Sequence, residues 1–162
     1  ARASEQGNDA AAAGLRHAAT YMLTPLRVQR DARGPGEEGL PALRSFADAI
    51  ETWASLPKPA RPARAARRSI DEHGDGAAFR GLYAEALDEL GQRTGLPPEL
   101  ADRMADVATQ WETVADRLDE IAEWEGTRAG SFAEAASLVA DIADREEAIF
   151  TALRDELGGR GE

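Results

Sequence analysis

Residues 97–124 read PPELADRMADVATQWETVADRLDEIAEW, and this stretch decides the fold. Leu100, Met104, Val107, Trp111, Val114, Leu118 and Ile121 recur in steps of four and three, which sets them along one side of a helix. A stripe of that period is the seam of a helix packed nearly parallel or antiparallel to another. Pro97-Pro98 opens the segment and Gly126–Gly130 breaks it. A second stripe follows in Phe132, Ala135, Leu138, Val139, Ile142, Ile149, Leu153 and Leu157. Ser131 and Glu134 have capping-box spacing at its start, and Gly158-Gly159 closes it. The short connection makes the two helices antiparallel neighbours. The acid pairs Asp119-Glu120 and Glu146-Glu147 read as solvated polar faces.

Upstream, the pattern gives further helical segments. Residues 1–8 read as a flexible arm, and Asn8 or Asp9 caps a helix to about Leu23 with Leu15, Ala19 and Met22 on one face. Residues 27–37, with Arg33-Gly-Pro-Gly36, read as a loop. A helix over Glu38–Leu56 buries Leu40, Leu43, Phe46, Ile50 and Trp53. Residues 57–68 form a Pro/Arg-rich linker running into a short basic helix at Ala63–Glu72, because three prolines at 57, 59 and 62 oppose regular structure. Ala77–Arg93 is the next helix, with Gly95 past its end. No strand pattern is visible. The expectation is an all-α, single-domain helical bundle of four longer helices plus one short helix, spanning 9–157, with a flexible tail at 158–162.

At 162 residues the chain suffices for one domain with a real core. It contains no cysteine, which excludes a thiolate nucleophile, a disulfide and a thiolate metal site within it. The net charge is −11, and residues 99–162 carry all of it, with 17 acidic against 6 basic side chains. Such a surface repels nucleic acid and anionic membranes, so neither is expected as a partner. No apolar run approaches the roughly 18 residues needed to span a bilayer, and no secretory signal is visible. A cytoplasmic location is expected, and a start at Ala1 without methionine suggests a processed or excised form. Paired Glu-x-x-His and His-Glu-x-x-His motifs are absent, so no metal and no cofactor is expected.

The stretch from His73 to Glu85, HGDGAAFRGLYAE, holds the candidate site. Gly74 and Gly76 permit a sharp turn, and the helix start after them offers free amides. Arg80 and Tyr83 share a face three residues apart. In a substrate-binding set of Gly74, Gly76, Phe79, Arg80 and Tyr83, Arg80 grips a carboxylate or phosphate and Tyr83 orients a substrate group. The alternative seats Arg80 on a neighbouring helix end and Tyr83 in the core. No catalytic residue is assigned; His73, Arg80 and Tyr83 are the candidates, His73 through its acidic neighbours Glu72 and Asp75. The arginines of residues 61–68 read as a solvated linker, or as a basic hinge facing the acidic C-terminal half or an acidic carrier protein.

Three segments in order carry a resemblance: AAAGLRHAATYMLTP at 11–25, GLPALRSFADAIETW at 39–53, and FRGLYAE at 79–85 behind the glycine corner. Together they resemble the helical C-terminal domain of the BtrH-like, butirosin-type acyltransferase family, over about residues 10–157. The longer glycine run usual in that family is interrupted here by His73, Asp75, Ala77 and Ala78. The resemblance implies an accessory, substrate-shaping domain in antibiotic biosynthesis. The best-understood member of that family moves an aminoacyl group from a carrier-protein thioester to the amine of an aminoglycoside, a small-molecule acceptor. The nucleophile then lies in a cysteine-containing acyltransferase domain, which with the acyl carrier protein is the expected partner. Two alternatives stand beside it. One is a non-catalytic interaction module, for which exposed apolar surface favours a homodimer. The other is a small stand-alone enzyme of secondary metabolism using acid–base catalysis.

Overall fold

The computed structural model describes residues 2–24, 27–30, 34–72, 76–123 and 129–158. Its helices are α1 (Arg2–Leu23), α2 (Gly39–Trp53), α3 (Ala60–Glu72), α4 (Ala77–Thr94), α5 (Glu99–Glu123) and α6 (Ala129–Gly158). The class is all-α as expected, but the described residues form six helices where four longer and one short were expected. Prolines or glycines separate the successive segments, so each folds as its own rod.

The centre is the pair α5 and α6, as their stripes predicted. Leu100, Met104, Val107, Trp111, Val114, Leu118 and Ile121 are all buried on α5, and Ile142, Ile149, Leu153 and Leu157 are fully buried on α6. Each such aliphatic side chain contributes about 1.5–3 kcal/mol by leaving water. Arg117 near the end of α5 lies 3.6 Å from Glu134 near the start of α6. Toward the other end Met104 and Phe150 line one cavity, so the pair is antiparallel. α1 and α2 pack on α6, while α3 and α4 pack on α5. Arginines from both flanks tie down the long helices' free carbonyls. Arg16 Nη2 donates to Leu157 O at 2.6 Å and Arg64 Nη2 to Ala122 O at 2.6 Å, each a favourable charge at a helix C-terminus.

Several boundaries differ from expectation. α1 runs back to Arg2 through the stretch expected as a flexible arm, because its Ala-, Glu- and Gln-containing sequence favours helix. Asn8 is therefore inside the helix, where its side chain accepts from Arg93 Nε at 3.3 Å. α3 starts at Ala60, inside the expected linker. Pro62 sits in the first turn, where no intrahelical N–H bond is lost. α6 starts at Ala129, so Ser131 is not its cap. α4 does end as expected on Gly95, left-handed at φ 69°.

Where a loop was expected, β1 (Arg27–Arg30) pairs antiparallel with β2 (Gly34–Glu37), Val28 opposite Gly36 and Gln29 opposite Pro35. Gly34-Pro35-Gly36 supplies backbone with almost no side-chain pattern, so no alternation announced these strands. Among the described residues, no helix is long and apolar enough to cross a membrane.

Candidate functional site

Five helices converge on one cleft of about 520 Å³. α1 supplies His17, Ala18, Tyr21 and Met22, and α2 supplies Gly39 and Leu43. Phe79, Arg80 and Tyr83 of α4 form the facing wall, with Met104 and Phe150 closing the base. The lining is mainly aromatic and aliphatic, the usual character of a small-molecule site. Gly39 makes the junction of α1 and α2 close enough to form a wall. Its φ is +67°, and a Cβ there would stand 2.7 Å from the backbone oxygen of Met22, so only glycine is unstrained.

The aromatic wall is continuous. The Phe79 and Tyr83 rings stack with centroids 6.5 Å apart, and Tyr83 meets Phe150 at 5.8 Å, both within the range of favourable ring pairs. Phe79 remains 58% exposed and forms the rim. At the opposite rim the Tyr21 hydroxyl donates to Glu38.

Below the rim, Arg80 is engaged from within the protein. Its Nε donates to Glu146 Oε1 at 2.8 Å and its Nη2 to Glu146 Oε2 at 3.2 Å. The guanidinium carbon lies 5.4 Å from the Trp111 ring centroid and 5.9 Å from that of Phe79. Glu146 is 0% exposed, which corrects its expected place on a solvated face. A buried carboxylate requires a paired, hydrogen-bonded cation, and Arg80 presents two parallel donors in the required geometry. That face of Arg80 therefore holds α4 to α6 instead of gripping a ligand anion.

Tyr83 is mostly buried, its hydroxyl has no hydrogen-bond partner among the described residues, and burial pushes its pKa up to about 12. A hydroxyl held neutral to that pH is a donor, not a proton shuttle near neutrality. Gly76 is buried and is not among the residues lining the cleft. Its role is packing: a Cβ there would lie 2.5 Å from Ile70 Cγ2 and 3.7 Å from the Trp111 ring. His73 and Gly74 lie outside the described residues. The structure thus unites Phe79, Arg80 and Tyr83 with the first-helix face, and adds Glu146, Leu43, Met104 and Phe150. Glu146 had a visible signal, since it lies four residues after Ile142 and three before Ile149, on the apolar stripe itself.

The chain belongs to the family described as a domain of unknown function, DUF4872, whose model matches residues 2–153. No curated protein and no solved structure shows significant similarity to it.

Proposed function

We propose that this chain is a helical accessory domain that shapes the acceptor or acyl site of a natural-product acyltransferase, the transfer itself running on a cysteine supplied by another domain. The observation that carries this reading is the cleft of about 520 Å³ lined by Phe79, Tyr83, Met22, Leu43 and Phe150. It offers shape and apolar area, while the Arg80 face at its base is turned to Glu146. The chain has no cysteine, so a thioester-derived acyl group has no thiol to reside on within it. The ordered resemblance at 11–25, 39–53 and 79–85 supplies the reaction class.

The test joins this chain to a BtrH-like cysteine domain and follows transfer from a carrier-protein thioester to an aminoglycoside amine. Ala18→Phe, which fills the cleft, raises KM for one of the two substrates about tenfold and leaves formation of the acyl-cysteine intact. Unchanged kinetics in that variant would remove the cleft from the reaction.

One observation favours a second reading, an interaction module. Leu82, one turn beyond Phe79 on α4, is 66% exposed, so an apolar strip flanks the cleft mouth. Sedimentation of the wild type against Leu82→Glu decides it: a concentration-dependent dimer that the substitution abolishes supports the module, and a monomer in both removes self-association.

A further inference from the structure

We propose that the arginine face of α3 is a binding site for a compact, soluble phosphate-bearing ligand, independent of the cleft. Arg61, Arg64, Arg67 and Arg68 lie on consecutive turns of α3 and, with Asp119 of α5, line a hollow of about 300 Å³. Two of these side chains are anchored. Arg64 donates to Ala122 O at 2.6 Å and Arg67 Nε to Asp119 Oδ2 at 2.8 Å, which fixes the inner wall. Arg61 and Arg68 are exposed, and among the described residues neither guanidinium has an ion pair or hydrogen bond. A face that served only to neutralise α5 would pair its arginines with carboxylates. Of the four, Arg67 alone pairs with one among the described residues.

Among the described lining residues, four guanidiniums stand with a single carboxylate, a positive pocket in a chain of net charge −11. That contrast selects the size of the ligand. An extended polyanion, such as nucleic acid or an anionic membrane, meets the repulsion of the whole molecule. A compact anion feels mainly the local field. Among the described residues no aromatic side chain lines the hollow, so they offer no stacking platform for bases. Guanidinium forks match phosphate oxygens two at a time, and a phosphate has enough acceptors to engage several forks where a lone carboxylate engages one.

The experiment is calorimetric titration of the full chain with inorganic pyrophosphate at constant ionic strength. The expected result is saturable one-site binding, weakened about tenfold or more in Arg61→Gln/Arg68→Gln. Both substitutions are at exposed positions, and matching circular dichroism melts check folding. Arg68→Lys, which keeps the charge and loses the fork, falls between the two. Arg44→Gln, a surface arginine held by Asp144 and Glu147 on α6, binds as wild type does. Absence of saturable binding, or equal affinity in the double variant, or equal weakening by Arg44→Gln, overturns the proposal. Co-sedimentation with vesicles of equal parts phosphatidylcholine and phosphatidic acid separates the sources of phosphate. The chain is expected in the supernatant, and pelleting that pyrophosphate reverses would assign the hollow to lipid headgroups instead of a soluble ester.

Discussion

The Glu146 carboxylate is shut off from water and faces Arg80 across two hydrogen bonds of 2.8 and 3.2 Å. Removing the arginine leaves a buried charge without a partner, which costs about 3–5 kcal/mol. Arg80→Met should therefore lower the urea midpoint sharply. Arg80→Met/Glu146→Leu, which removes both charges, should regain most of that loss. A double variant as unstable as the single one would contradict this account. Tyr83 gives a second prediction at the same scale. Its pKa lies near 10 in the unfolded chain and about 12 in the fold. Between those values the unfolded chain has lost a proton that the folded chain keeps, so the stabilisation is complete below pH 10 and declines from pH 10 to 12. The decline amounts to about 2 kcal/mol, and Tyr83→Phe should abolish it while costing little at pH 7, since the hydroxyl has no partner among the described residues. Melts of both proteins across that range measure the difference. Sequence alone placed Arg80 and Tyr83 on one helix face, and that much of the site was legible. Which ligand Arg80 faced was not, because the answer lies 66 residues away on a helix whose stripe appeared interrupted at Glu146.

At the scale of elements, the start of α2 depends on Gly39. Its φ of +67° and the 2.7 Å approach to the Met22 carbonyl leave no room for a side chain. Gly39→Ala should destabilise the chain by about 1–3 kcal/mol and move the first turn of α2 away from α1. Calorimetry reads the first effect, and loss of ligand binding in the cleft reads the second. A variant with an unchanged melting temperature would show that this junction relaxes freely. The period-bearing elements were readable in advance: the α5 seam, the α6 stripe and the Gly95 stop all stand where spacing put them. What failed was local chemistry with more than one solution. Pro62 opposes a helix interior yet suits a first turn, and Ser131 with Glu134 matches a capping box that α6 bypasses by starting at Ala129. The pairing of β1 with β2 is carried by backbone that no side-chain pattern marks.

For the whole molecule, an antiparallel α5/α6 core carries α1 and α2 on one flank and α3 and α4 on the other, and the long helices concentrate the negative charge. Residues 99–162 hold 17 acidic and 6 basic side chains, so self-repulsion opposes compaction at low salt. Raising NaCl to about 0.5 M shortens the screening length to a few ångström and should raise the melting temperature by a few degrees. Exposed pairs such as Arg44 with Asp144 lose little in exchange. A fall in melting temperature would mean that the surface pairs outweigh the repulsion. The position of Trp111 has an optical consequence. Its indole is 3% exposed, and the Arg80 guanidinium lies 5.4 Å from its ring, while Arg80 and Phe79 border the cleft. A fixed cation beside an excited indole sets the colour of its emission. In a Trp53→Phe/Trp124→Phe background, fluorescence should therefore shift when a molecule filling the cleft changes the polarity beside the Arg80 guanidinium, so the chain carries its own light-emitting reporter for whatever molecule enters.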